Sequence, residues 1–375
     1  MSQESGPGRA DPAGPDPTPA RTPRSRQVRL VALAVVLSVL AVALVPIVLG
    51  LGPPTREQLL ERAGLKGKRE LLIGVKDDQP GIAQSLQGGG WRGFDIDVAY
   101  LIAGYLGFAR SQVVLLPIES EDRARRQAFH NNRFVAVDLV IASYSITEER
   151  EKEGAIFSAP YLHTEQSVIT LATENGPVSS LEDLRDQRVC TLTTSTSQAR
   201  LREAGARPIG RNRISECVQE LYDGKVDAVT TDAAILAGFV TGGRGDNPFP
   251  ATLRNAKPLR HWDIGSSPQE KWGVNAANRD LRDLVDLALH ASATDPKDRS
   301  WETAYDANLR WQQEYNLPQP VAEEQQPEPR KVEVRQWPWE RFALPPPGHP
   351  GSPPAPPRVS VRVGWWGRAR RNSGC

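Results

Sequence analysis

Metal-binding and thiol chemistry are almost missing from this sequence of 375 residues. It carries three cysteines, Cys190, Cys217 and Cys375, with no CxxC pair, and its five histidines (130, 163, 261, 290 and 349) are scattered. That spacing excludes a structural zinc site, and no metal or other cofactor is expected. An excess of charge of one sign is missing too, because 46 Lys+Arg face 45 Asp+Glu. No basic footprint for nucleic acid results, and no nucleic-acid partner is expected. No Ser-His-Asp set or carboxylate pair is readable, so the chain is not expected to be an enzyme. Proline is sparse in the middle: six lie before residue 29, thirteen from Pro318 onward, and only thirteen between. The contrast marks two low-complexity ends, residues 1–28 and 316–375, around a globular centre.

One long hydrophobic run is present. Leu30 to Leu51 reads LVALAVVLSVLAVALVPIVLGL, and no charge falls between Arg29 and Arg56. Twenty-two helical residues rise about 33 Å, enough for a hydrocarbon core of about 30 Å. A cleaved signal peptide is the alternative, but the run exceeds its usual length of about 7–15 residues and lacks a clear small-x-small cleavage site. The expectation is a single-pass signal anchor over 29–52, preceded by a basic cytoplasmic segment and followed by a linker, 53–69.

Beyond the linker, short apolar runs alternate with helical patterns. Strands are expected at 71–75, 113–118, 137–146, 167–172, 188–194 and 227–232. Helices are expected at 93–108, 196–204, 214–223, 232–239, 278–293 and 299–315. In the first of these, Val98, Leu101, Ile102, Tyr105 and Leu106 follow i, i+3, i+4, i+7, i+8. Alternating strands and helices predict an α/β fold with mainly parallel sheets.

Five blocks then occur in order. They are Gly93-Phe94-Asp95-Ile96-Asp97-Val98; Ser143-Tyr144-Ser145-Ile146-Thr147 leading to Arg150; Phe157-Ser158-x-Pro160-Tyr161; Leu181-x2-Leu184 with Val189 and then Ser195-Thr196; and Val226-Asp227-Ala228-Val229-x2-Asp232. Together they resemble the polar amino-acid (family 3) extracellular solute-binding proteins. Gly74-Val75-Lys76-x-Asp78-x-Pro80-Gly81 and Tyr144 are similar to the glutamate-binding branch. Thr194 stands where that family has glycine, and the stretch from His130 to Val137 is longer than the family's turn.

The resemblance implies a type II periplasmic-binding-protein fold, two Rossmann-like lobes joined by a two-segment hinge. Lobe one would use 70–163 and 265–315, lobe two 164–264, with crossings near Tyr161–Gln166 and Lys257–Gly265. It also implies a ligand set. Arg150 would fork onto the α-carboxylate. Ser195 and Thr196, at a helix start, offer N–H groups that favour an anion. Ser143 and Ser145 would offer hydroxyls and backbone to the ammonium, Tyr144 between them counts among the ligand-binding residues, and Asp232 would supply the charge facing that ammonium. Lys76 suits an acidic or amide side chain. Plainer roles compete: Ser195, Thr196 and Asp232 as helix caps, Lys76 as a surface lysine. Asp95 and Asp97 read as first-turn charges, Asp227 as structural, and Trp91, Trp262 and Trp272 as packing.

Cys190 and Cys217 fall in one lobe, in a strand and a helix; they are either two buried thiols or a disulfide, and the bridge is expected for an exported domain. The implied function is capture of glutamate, aspartate or glutamine for an ABC-type importer, at the bacterial cell membrane with the binding domain extracytoplasmic. The alternative partner is a membrane sensor protein. If the anchor is uncleaved, the chain stays in the membrane as one full-length species. Released protein with a mature N-terminus between residues 50 and 56, found by N-terminal sequencing, would overturn that expectation.

Overall fold

The computed structural model describes residues 23–48, 52–86, 88–172, 176–240, 258–264, 269–310 and 325–335. It divides into two units, Met1–Pro53 and Pro54–Cys375. The first contains helix α1, Pro23–Val48, opened by a proline whose fixed φ suits a first helical turn. The helix therefore starts inside the stretch expected to lack structure. From Arg26 to Val42 every residue is exposed, Val28, Leu33 and Leu37 among them. Among the described residues, no helix is long and apolar enough to cross a membrane; residues 49–51 of the expected span lie outside them.

The second unit is built on two five-stranded sheets. In the first, β1 (Leu71–Val75) lies between β5 (Val113–Pro117) and β8 (Leu139–Val140), parallel to both. β15 (Glu270–Ala276) then runs antiparallel to β8, and β9 (Phe157–Thr164) antiparallel to β15. In the second, β11 (Arg188–Leu192) is parallel to β12 (Arg207–Arg211) and β13 (Ala228–Asp232). β10 (Gln166–Leu171) runs antiparallel to β13 and to β14 (Leu259–Asp263). A small meander, β2 (Asp78–Gln79), β3 (Ala83–Ser85) and β4 (Trp91–Arg92), and a hairpin, β6 (Gln127–His130) and β7 (Arg133–Ala136), decorate the first lobe.

The expectation of mainly parallel sheets fails, because each sheet has two parallel and two antiparallel pairings. The cause is topological. β9 in one sheet runs on through Glu165 into β10 in the other, and the chain returns between β14 and β15. A strand that passes straight between sheets has no helical crossover to reverse it, so it enters antiparallel. The first crossing falls inside the expected segment. The second lies between Asp263 and Glu270, overlapping the end of the expected segment, and residues 265–268 are outside the described ones.

Helices clothe the sheets: α2 (Arg56–Arg62), α3 (Phe94–Leu106), α8 (Arg279–Thr294) and α9 (Ser300–Asn308) on the first, α5 (Thr196–Glu203), α6 (Ile214–Tyr222) and α7 (Ala233–Val240) on the second. In α3 the apolar stripe buries Val98, Ile102 and Leu106, and Gly107 ends the helix in the left-handed region. Trp301 packs edge-on to Phe94 and donates its indole N–H to Tyr161 O at 2.9 Å, which ties α9 to a crossing strand. Of the tail expected to lack structure from residue 316, only 325–335 is described, and it is bound to the domain. Arg335 N–H donates to Pro54 O, Arg330 pairs with Asp286 at 3.2 Å, and Val334 packs on the core.

Cys190 of β11 and Cys217 of α6 form a disulfide, both fully buried, with Cα atoms 5.3 Å apart. Closing a loop of 27 residues is worth about 3.6 kcal/mol in the chain-entropy model. The double variant Cys190→Ala/Cys217→Ala should lose about 2–4 kcal/mol in denaturant unfolding. Unchanged stability would show that the bridge does not constrain the unfolded chain.

Candidate functional site

The stretch expected as a strand over 137–146 leaves the sheet after Val140. Ser143 has φ 45°, which no strand can carry. Neighbours hold this bend. Ser143 N–H donates to Asp95 Oδ2 at 2.9 Å, and Tyr161 O–H donates to Asp95 Oδ1 at 2.9 Å. Asp95, in the first turn of α3, is thus a buried bracket, and burial raises its carboxyl to about 7. Ser143 Oγ bonds the buried Gln79 amide at 2.6 Å. Beyond the bend, Gly273 N–H donates to Tyr144 O and Ile146 N–H to Lys271 O, which fastens the loop to β15.

The loop leads into α4 (Glu148–Lys152), capped by the Thr147 hydroxyl. Arg150 projects from it, only 8% exposed. Its Nη1 donates to Ser145 O at 2.6 Å, and its Nη2 crosses to the second lobe to reach Thr194 O at 2.9 Å. The guanidinium lies 4.5 Å from the centre of the Tyr144 ring. A second buried guanidinium, Arg123, lies 4.7 Å from the same ring. Burial pulls both below the ordinary arginine range, Arg123 to about 10.

Lys76 follows β1 and is 1% exposed, so it is no surface lysine. Its Nζ donates to Ile118 O (3.2 Å), Ser120 Oγ (3.4 Å) and, across the lobes, Asn212 O (2.9 Å). Burial lowers its pKa. Further bonds join the lobes nearby: Asp78 Oδ2 accepts from Ser215 N and Oγ, and Arg213 pairs with Asp77 at 2.9 Å.

The second lobe contributes the start of α5 and the end of β13. Ser195 caps α5, accepting Gln198 N–H at 3.1 Å while donating to Leu192 O. Its hydroxyl is therefore engaged locally, and Thr196, the first residue of α5, is half-buried. Thr194 has φ 58°, the left-handed conformation that glycine adopts freely, so its departure from the family's glycine leaves the turn intact at some strain. Asp232 ends β13, buried, and accepts the Trp272 indole N–H at 2.6 Å. Burial first, then repulsion from Glu270, pushes its carboxyl up to about 8. Glu270 pairs with Arg200 at 2.9 Å.

Arg150, Tyr144, Ser145 and the Thr194–Thr196 turn thus meet at the junction of the lobes. Trp272 joins Asp232 to the same cluster through its bridge to Ser145. Lys76 and Ser143 approach from the β1 side. The motifs did not mark Arg123, Gln79 and Asn212, and they left Trp272 as packing. Arg123 sits in the run Glu121-Asp122-Arg123-Ala124-Arg125-Arg126, which looks like a solvated charge cluster; only its fold position reveals it.

Closure is tight at Gly238 of α7. A Cβ there would stand 2.0 Å from Pro80 O of the first lobe, a backbone atom that cannot step aside cheaply. Gly238→Ala should fold but resist closing. Small-angle scattering should show a larger radius of gyration, and ligand affinity should fall at least about tenfold, the effect of about 1.4 kcal/mol. Unchanged scattering and affinity would show that the lobes do not need this approach.

The sequence model for bacterial extracellular solute-binding proteins, family 3, matches residues 71–303, more than half of the chain. Glutamate-binding protein GluB of Corynebacterium efficiens is 29% identical over 220 residues, 56% of this chain and 72% of that protein. Cyclohexadienyl dehydratase of Pseudomonas aeruginosa is 29% identical over 167 residues, 44% of this chain and 59% of that enzyme. Among solved structures, an ancestral arginine-binding protein bound to glutamine superposes with a TM-score of 0.53 at 27% identity, covering 64% of this chain and 97% of that one. The chain belongs to the bacterial extracellular solute-binding proteins, family 3.

Proposed function

We propose that the chain is a membrane-tethered receptor that captures glutamate, aspartate or glutamine by closing its two lobes and delivers it to an ABC-type importer. One observation carries this reading: Arg150, a buried cation with no ion pair among the described residues, reaches across the lobes to Thr194 O. An amino-acid carboxylate at that point would supply the missing counter-charge and favour the closed form. The name of GluB supports the same ligand class. In this arrangement Arg150 forks onto the α-carboxylate. Ser143, Tyr144, Ser145, Ser195 and Thr196 line it, and Asp232 faces the ammonium. Lys76 adds a positive charge that disfavours a cationic side chain. The apolar run Leu30–Leu51, with the exposed apolar side chains of α1, supports the tether.

The dehydratase relative raises an enzymatic reading. The cleft groups favour binding over catalysis: the two carboxylates that meet there, Asp232 and Glu270, are engaged by Trp272 and Arg200.

Screening the twenty amino acids by thermal shift on the full chain tests the reading. A true ligand at a hundred times Kd should add about 2.7 kcal/mol of stability. Arg150→Ala should lose about 2–5 kcal/mol of affinity by calorimetry, as truncated buried charge partners do. A change below threefold would remove Arg150 from the site.

Asp232 gives a pH signature. It is mostly protonated below about 8, and only its ionised form attracts an ammonium, so binding releases a proton. Affinity should therefore rise with pH between 6 and 8, by up to tenfold per unit or about 1.4 kcal/mol, and level off above. Asp232→Asn should bind more weakly and lose that slope. A slope that persists in the variant would place the titrating group elsewhere.

A further inference from the structure

The β6–β7 hairpin belongs to the first lobe, and the amino-acid site does not use it. It contains most of the stretch from His130 to Val137 that is longer than the family's turn. Its register pairs Gln127 with Ala136, Ala128 with Val135, Phe129 with Phe134 and His130 with Arg133. Asn131 and Asn132 close it with φ 50° and 59°, both in the left-handed region that a type I′ turn requires. Side chains alternate between the two faces of such a ribbon. On the inner face, Ala128 is fully buried in a cluster with Leu116, Ile118 and Val137, and Val135 packs against it. At the base, Val137 N–H donates to Arg126 O at 2.9 Å. The hairpin is therefore a fixed projection from the lobe.

Its outer face is apolar. Phe129 and Phe134 are 55% and 60% exposed, and their rings meet edge to face with 5.4 Å between centres. Among the described residues beyond α1, they are the two large apolar side chains left exposed. The charge around them is of one sign. From Ala124 to Val137 the chain carries Arg125, Arg126, His130 and Arg133 and no acidic residue. Arg125 meets Asp122, which precedes the hairpin, at 3.7 Å. Arg126 and Arg133 form no ion pair among the described residues.

Area and charge together decide what fits this face. A second copy would set arginines against arginines. Two half-exposed phenylalanines also offer only roughly 200–250 Å² of surface, against about 800 Å² from each partner in a stable protein interface. A bilayer asks for less area, because the tether proposed above already holds the chain beside it. An anionic bilayer also carries the charge opposite to the hairpin's. Aromatic rings enter the boundary between headgroups and acyl chains, while arginine stems lie along apolar surface and keep their charged heads among phosphates.

The geometry points to the β6–β7 hairpin as a membrane-docking element, in which Phe129 and Phe134 enter the headgroup region of an anionic bilayer and Arg125, Arg126 and Arg133 face its phosphates. The inference rests on the membrane-tethered reading and adds a second contact to it. That contact would hold the first lobe at the surface and leave the second lobe to move.

The full chain carrying His130→Cys and Cys375→Ser, labelled on the introduced thiol with a polarity-sensitive fluorophore and reconstituted in vesicles, tests this. In vesicles containing phosphatidylglycerol the emission should shift to the blue, and brominated acyl chains should quench it at least about twofold. In pure phosphatidylcholine the quenching should be weaker, and added salt should reduce it in the anionic vesicles. Phe129→Ser/Phe134→Ser should abolish the quenching. Arg125→Gln/Arg126→Gln/Arg133→Gln should abolish its dependence on phosphatidylglycerol, and this variant carries the test if the serine variant melts at a lower temperature. Both variants should keep the amino-acid affinity of the unaltered chain. Absence of quenching in anionic vesicles that retain the chain, or quenching that neither variant changes, would overturn the inference while leaving the tether in place. Self-quenching that grows with protein density would overturn it in favour of a second copy. A chain that floats with vesicles of neither composition would overturn both.

Discussion

Arg150 is buried and charged, and among the described residues its guanidinium donates only to backbone carbonyls, one in each lobe. A guanidinium in that position cannot shed its proton at neutral pH even though burial pulls its pKa down. It has to be met by dipoles and by opposite charge. The carbonyls of Ser145 and Thr194 and the face of the Tyr144 ring supply the dipoles. The surroundings follow from this need. The Ser143 bend is held by Asp95 and Gln79, and the following backbone is pinned to β15, so that Ser145 O faces the guanidinium. Thr194 accepts a left-handed backbone that presents its own carbonyl from the other side.

The same junction is where the chain passes twice between sheets. Because β9 becomes β10 across the single residue Glu165, the lobes share a continuous strand there. Trp272, on the returning strand, links the two walls: its indole N–H reaches Asp232 in the second lobe, and its backbone bridges Ser145 in the first. Opening the lobes would disturb these bonds along with Lys76–Asn212 and Arg213–Asp77. Opening would therefore exchange fixed partners for solvent at several buried charges at once. The buried disulfide between β11 and α6 stiffens the second lobe on which Thr194 and Asn212 depend.

Much of this was legible in the chain itself. Helices α3, α6 and α8 follow their apolar periodicity, and β1, β10, β11 and β13 their short apolar runs. Strands without such runs, β9, β12, β14 and β15 among them, mix polar, charged and proline residues. Sequence pattern reports burial on a face, whereas these strands are fixed by pairing with distant partners such as Trp272 with Leu162 and Trp262 with Val168. The expected strand over 137–146 had the right composition but could not register one backbone bend at Ser143.

By itself the sequence determined the α/β class and the family, and it raised the expectation of a Cys190–Cys217 bridge and named the candidate residues of the cleft, because each of these is written in local spacing or residue type. Only the tertiary structure decided that Arg123 is buried among Tyr144, Ser143 and Arg150, and that Lys76 is matched by Asn212 from the other lobe. Local sequence cannot say whether a charge is solvated or desolvated. That depends on which distant segments cover it, and covering is what turns an ordinary arginine or lysine into a group that demands a partner.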